Sequence, residues 1–195
     1  GGIVSYFMFS LYVPIMFHYH GPVVAGKMGM TWQIVGTLGP LAMAWVATKI
    51  PLWGMLIAKK KYLQLDQSFY QASRISMSVI TFSALILWLA VYGLNYIQHP
   101  LSERMLAPLQ TAIFALGIVA VQGSQCLIAY LRAHKKEPFL GISIGSGVAT
   151  GLLVWILGSK FGPIGAGASF LIVAIGILPF GLKIWHRCRK EWHKE

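Results

Sequence analysis

The sequence predicts an all-α integral membrane protein whose six transmembrane helices form a single bundle, with both ends of the chain on the cytoplasmic side. Three observations carry that prediction. Hydrophobic residues make up 56% of the 195 positions and charged residues only 11%, with a mean hydropathy of +0.66, whereas soluble domains carry about 25% charged residues. Six uncharged runs, 1–26, 28–48, 75–102, 105–131, 138–159 and 161–182, each hold enough apolar residues for one crossing. A helix of about 20 residues, rising 1.5 Å per residue, spans a roughly 30 Å hydrocarbon core. The Lys and Arg residues alternate between connections: Lys27; then Lys49, Lys59, Lys60, Lys61 and Arg74; then Arg104; then Arg132, Lys135 and Lys136; then Lys160; then Lys183, Arg187, Arg189, Lys190 and Lys194. Cytoplasmic loops keep the positive excess, so the second, fourth and last connections lie inside.

With Gly/Pro-rich ends trimmed, the spans fall at 3–17, 28–48, 75–97, 107–131, 138–159 and 161–182, followed by a basic tail over 183–195. The first is kinked at Pro14. A Gly/Pro-bearing bend over 21–27 leads into the second, which ends at Lys49-Ile50-Pro51 ahead of the triplet Lys59-Lys60-Lys61. The longest connection, 49–74, contains a mildly amphipathic stretch over 62–70 that reads as a helix lying on the cytoplasmic interface. Trp88, Tyr92 and Tyr96 read as interfacial belt residues at the outer end of the third span, and Trp185 and Trp192 as belt residues near the inner face. In the fifth span Gly141/Gly145 and Gly147/Gly151 have the G-x-x-x-G spacing that permits close helix approach. Pro40 after Gly39, and Pro179, mark places where helices can break or bend at membrane depth.

The net charge of +11 belongs to the connections rather than to a soluble basic surface, which argues against nucleic acid as a partner and for anionic lipid headgroups. Cys126 and Cys188 have no disulfide or metal spacing and read as a packed thiol and a reduced cytoplasmic one. His18 and His20, at the outer end of the first span, lack acidic or Cys neighbours, so no metal or cofactor is expected there. The acidic residues Asp66, Glu103, Glu137, Glu191 and Glu195 all fall in connections or tail, which leaves the spans without the carboxylate relay usual in ion-coupled transporters. Polarity within the spans is neutral instead. Gln33 and Thr37 share one face of the second span, and Gln122-Gly123-Ser124-Gln125 sits near the middle of the fourth, where an unpaired amide is expensive. These amides either tie helices together or line a polar cavity. Lys49 and Arg74 either snorkel to headgroups or point into such a cavity, where they would attract phosphate.

Two stretches carry a family resemblance. Tyr19-His20-Gly21-Pro22-Val23-Val24-Ala25-Gly26-Lys27-Met28-Gly29-Met30-Thr31 and Ala44-Trp45-Val46-Ala47-Thr48-Lys49-Ile50-Pro51-Leu52-Trp53-Gly54-Met55-Leu56-Ile57-Ala58 resemble the bacterial oligosaccharide flippases and polysaccharide biosynthesis transporters. These belong to the multidrug/oligosaccharidyl-lipid/polysaccharide exporter superfamily. Tyr130-Leu131-Arg132-Ala133-His134-Lys135-Lys136-Glu137-Pro138-Phe139 and the Trp-His ending of the tail fit the same group. The resemblance implies two pseudosymmetric six-helix bundles that move a polyprenyl-pyrophosphate-linked glycan across the bacterial inner membrane by alternating access, without covalent chemistry. This chain would be the C-terminal bundle. That agrees with a start at Gly-Gly-Ile, without Met or leader, from which we expect the chain to begin mid-protein and an N-terminal bundle to be its partner. On that implication Lys49 and Arg74 contact the anion, and Gln33, Gln122 and Gln125 contact the glycan. A drug or organic-cation antiporter of the same superfamily is the nearest alternative. A membrane glycan polymerase or acyltransferase is a further one, but it would ask for a large extramembrane loop or a catalytic His/Asp/Arg cluster that the sequence does not display.

Overall fold

The computed structural model describes residues 11–134 and 140–192. Among these the chain is helical throughout, without strands. Helix α1 covers Tyr12–Ala58, α2 Tyr62–Tyr96, α3 Pro108–Ala133, α4 Leu140–Leu153 and α5 Ser159–Trp192; a 3-10 turn, Pro100–Arg104, precedes α3, and a π turn, Val154–Gly158, joins α4 to α5. Four helical runs, Tyr12–Ala58, Tyr62–Tyr96, Pro108–Ala133 and Gly141–Trp192, are long and apolar enough to cross a membrane, which marks a multi-pass, membrane-embedded chain.

The two longest runs are interrupted where Gly precedes Pro. Gly21 has φ 84°, ψ 174° and Gly162 has φ 60°, ψ −143°, a region that essentially only glycine occupies. The following Pro22 and Pro163 lack an N–H to continue the helical ladder but suit the start of a new segment. The bend expected over 21–27 is therefore confined to Gly21. Pro40, Pro51 and Pro179 lie inside helices whose dihedrals remain helical around them.

Two expectations about the first hairpin change. No separate interfacial helix covers 62–70, because Tyr62 begins the continuous helix α2, and the α1 helix runs through Lys49 to Ala58. The link between them is the three-lysine turn, in which Lys60 takes a left-handed φ of 55°. Apolar contact explains the extension. Trp53, Leu56, Leu65, Phe69 and Ala72 are all buried and pack with Cys126, Leu127, Tyr130, Leu131, Trp185 and Cys188 into one core at the lysine-turn end. A second core at the opposite end gathers Tyr12, Ile15, Met16, Met28, Val35, Leu106, Phe114, Val154, Ala166 and Phe170. Trp185 is thus 3% exposed, a core residue rather than an interfacial anchor.

Between the two cores lies a polar tie. Gln122 Nε2 donates to Ser76 Oγ at 2.7 Å, and Ser76 donates in turn to the Ala42 carbonyl at 2.8 Å, joining α3, α2 and α1. Interhelical pairs of this kind contribute about 0.6 kcal/mol on average, because the separated helices also find partners. Gln122→Leu should accordingly lower the thermal stability of the purified protein by less than about 1 kcal/mol; a several-fold larger loss in a thermal shift measurement would assign the amide a larger role.

Two of the four glycines that the G-x-x-x-G spacing singled out, Gly141 and Gly145, make no close approach, and the tightest approaches lie elsewhere. A Cβ added at Gly141 or Gly145 would meet nothing within 4 Å, whereas one at Gly117 would strike the Phe170 ring and one at Gly165 the Leu157 carbonyl. Helix α4 rests on α5 and the π turn and stays apart from α3, so its first glycines have nothing to approach.

Candidate functional site

The outward face of α1 is unlike the apolar exposed faces of α5 and of the second half of α2. Residues Gly26, Gln33, Gly36, Thr37, Pro40, Ala44, Ala47 and Thr48 are all exposed and lie opposite the buried Met28, Thr31, Val35, Ala42 and Val46. At 100° per residue they form one continuous stripe, bordered on one flank by Met30, Leu41 and Trp45. By contrast, the exposed residues of α2 towards its second half include Phe82, Leu85, Ile86 and Leu89, and those of α5 include Ile172, Ile175 and Phe180. Those are side chains that suit hydrocarbon. The α1 stripe offers small groups, two hydroxyls and one amide. Thr37 and Thr48 satisfy their own hydroxyls on the Ile34 and Trp45 carbonyls, at 2.7 Å each, while the Gln33 amide stands exposed. Hydrocarbon would leave that amide unpaired at considerable cost.

Helix α2 presents a polar stripe of its own. Gln67, Gln71, Arg74, Ser78 and Thr81 follow i, i+3/i+4 spacing, are exposed, and lie opposite the buried Leu65, Phe69, Ala72, Ser76 and Ile80. Ser78 and Thr81 bond back to the Arg74 and Met77 carbonyls at 2.9 and 2.8 Å. Gln67, Tyr70, Gln71, Arg74, Ile75, Ser78 and Val79 form one open face of α2. Among the described residues, no carboxylate lies on this face to neutralise Arg74. A guanidinium so placed is suited to bidentate recognition of a phosphate oxygen pair.

The remaining candidates are distributed. Lys49 is half-buried, with its ammonium 5.2 Å from the centre of the Trp45 ring. The Ser76–Ala42 bond and the Trp53–Ser68 bond, the latter at 2.9 Å, set the α1/α2 register and bring Arg74 level with Trp45 and Val46. The two cations therefore share a depth, near the level where the apolar part of α2 begins. Gln122 is 1% exposed and committed to Ser76, so it ties helices instead of facing a lumen. Gln125 is exposed and lines a separate cleft of about 140 Å³ between α3, α4 and α5 with Ser124, Ser143, Ser146, Thr150 and apolar neighbours including Ile128 and Phe170. Of the five candidates, then, Arg74 and Gln33 stand on outward faces, Lys49 leans on Trp45, and the other two lie on α3.

One constellation escaped sequence reasoning altogether. Asp66, in the second turn of α2, is 9% exposed. Its Oδ1 accepts from the Tyr130 hydroxyl at 2.9 Å, and its Oδ2 accepts both Nε and a terminal NH₂ of Arg189. The guanidinium lies 5.3 Å from the Trp185 ring centre, and Trp53, Phe69, Tyr130 and Trp185 pack against one another edge to face or tilted. The carboxylate thus joins the starts or ends of α2, α3 and α5, across 123 residues. A signal existed: Asp66 sits between Leu65 and Phe69 on what proves to be the buried stripe of α2.

A scan of protein-family models matches none, and no curated protein and no solved structure matches the chain.

Proposed function

We propose that this chain is one bundle of a flippase that moves a polyprenyl-pyrophosphate-linked oligosaccharide across the bacterial inner membrane for polysaccharide assembly. In this reading the breaks at Gly21 and Gly162 divide the two longest runs so that the bundle crosses six times, with both ends inside, as the alternation of Lys and Arg implies. The observation that carries the proposal is the non-lipid face of α1, in which Gln33 and Thr37 sit among Gly26, Gly36, Pro40, Ala44 and Ala47, whereas the exposed faces of α5 and of the second half of α2 carry large apolar side chains. Such a face borders water, a polar substrate or a second bundle. In this reading Arg74, on the polar stripe of α2, and Lys49, against Trp45, supply cations for a pyrophosphate, and Gln33 supplies an amide for sugar hydroxyls. The polyprenyl chain stays in lipid.

The test follows the lipid-linked glycan in a host from which the gene has been deleted. An impermeant glycan-cleaving enzyme applied to spheroplasts reports the leaflet. Accumulation of finished units at the inner leaflet, relieved by the wild-type gene but at least tenfold less well by Arg74→Glu, is the expected result. Normal delivery to the outer leaflet without the gene would remove the proposal. Unchanged delivery by Arg74→Glu would remove Arg74 from the path.

A further inference from the structure

The breaks in α1 and α5 meet through one side chain. His20, the residue before Gly21, places its Nε2 2.8 Å from the carbonyl oxygen of Gly158, the last residue of the π turn. A carbonyl only accepts, so Nε2 carries the proton. In the i→i+5 register of a π turn, the backbone donor to Gly158 would be residue 163, which is a proline without an N–H. The histidine thus gives the Gly158 carbonyl a side-chain donor from another helix. Its ring also covers the second break: a Cβ at Gly162 would lie 3.4 Å from His20 Cε1 and 3.6 Å from both ring nitrogens. The segment Tyr12–His20 follows the α4 end and the π turn closely, with Leu11 at Gly151 and Ile15 and Met16 at Gly158.

We infer that His20 makes the two Gly-Pro breaks into a coupled pair, so that α1 cannot change its angle at Gly21 without α5 changing its angle at Gly162. Each break alone is a soft point, since its glycine occupies a conformation that other residues adopt only under strain. Joined through a charge-independent donor to a carbonyl in the π turn, they bend together. His20 is a positioning residue in this device, and the device is independent of what the protein transports.

Pulsed electron paramagnetic resonance on the full chain in lipid nanodiscs tests the coupling. One spin-label pair at Phe17 and Leu41 spans the first break, and another at Trp155 and Ile172 spans the second; all four positions are exposed. His20→Phe, which keeps a ring but loses the donor, should shift or broaden both distance distributions. His20→Gln, whose amide can reach the same carbonyl, should leave both as in wild type. Gly162→Ala, which strains the second break directly, should shift the Phe17–Leu41 distance at the first. A change in one pair without the other overturns the inference, as does a His20→Phe protein with both distributions unchanged. If His20→Phe does not fold, the Gly162→Ala and His20→Gln results decide alone.

Discussion

Replacing Asp66 with alanine is expected to cost about 2–3 kcal/mol of stability. The variant should also free the end of α5. Removing one partner of a buried ion pair costs about 3–5 kcal/mol, because the other charge remains in a poorly solvated place; the lower figure applies here because the Arg189 side chain is 33% exposed and water screens part of its charge. The same substitution removes the acceptor to which the Tyr130 hydroxyl donates at 2.9 Å. Tyr130→Phe should therefore lose only about 1 kcal/mol, the ordinary net value of one hydrogen bond. Arg189→Lys should fall between the two, since an ammonium cannot reproduce the two-donor contact. Thermal unfolding of the purified protein in detergent ranks the three variants. Trypsin cleavage after Arg187 or Lys190 in the Asp66→Ala protein, at concentrations that spare wild type, would report the loosened helix end. Equal stability of Asp66→Ala and wild type would mean that the aromatic packing alone holds the three helices together.

The second large effect is expected at Gly165. An alanine Cβ there would overlap the carbonyl of Leu157, and a backbone atom cannot swing aside as a side chain can. The segment of α5 just after the break must move away from the π turn, at a cost of about 3 kcal/mol by analogy with overpacked cores. Gly117→Ala meets the Phe170 ring instead, which is 4% exposed and held by Phe114 and Trp32; its cost should be smaller but of the same sign. Gly145→Ala meets open space and should gain a few tenths to about 1 kcal/mol from helix propensity. A thermal shift series over the three substitutions checks the order. Finding Gly165→Ala as stable as Gly145→Ala would contradict the close approach.

Which residues matter at helix contacts was the least legible feature in the sequence. Spacing marked Gly141 and Gly145 as a packing motif, yet α4 stays away from α3 there, and the true approaches are at Gly117 and Gly165, which carry no such signature. Belt tryptophans followed the same course. Trp185 in a basic tail reads as an interfacial anchor, and only the return of α5 against Phe69 and Tyr130 makes it core. Asp66 reads as a loop carboxylate because its partner is 123 residues away. For the candidate site, the amides were visible in sequence as expensive at membrane depth, but their fates differ: Gln122 found Ser76, and Gln33 faces no helix among the described residues.

By itself the sequence determined the helical, membrane-embedded character of the chain, the positions of its uncharged runs and the Gly21 break, because these depend on local properties: hydropathy summed over a run, and the backbone demands of glycine followed by proline. Tertiary structure decided which face of each helix is buried, that α1 and α2 continue past Lys49 and before Arg74 into a packed hairpin, and that His20 reaches the π turn. Those outcomes depend on contacts between residues far apart in the chain, whose free energy exists only once the helices have met.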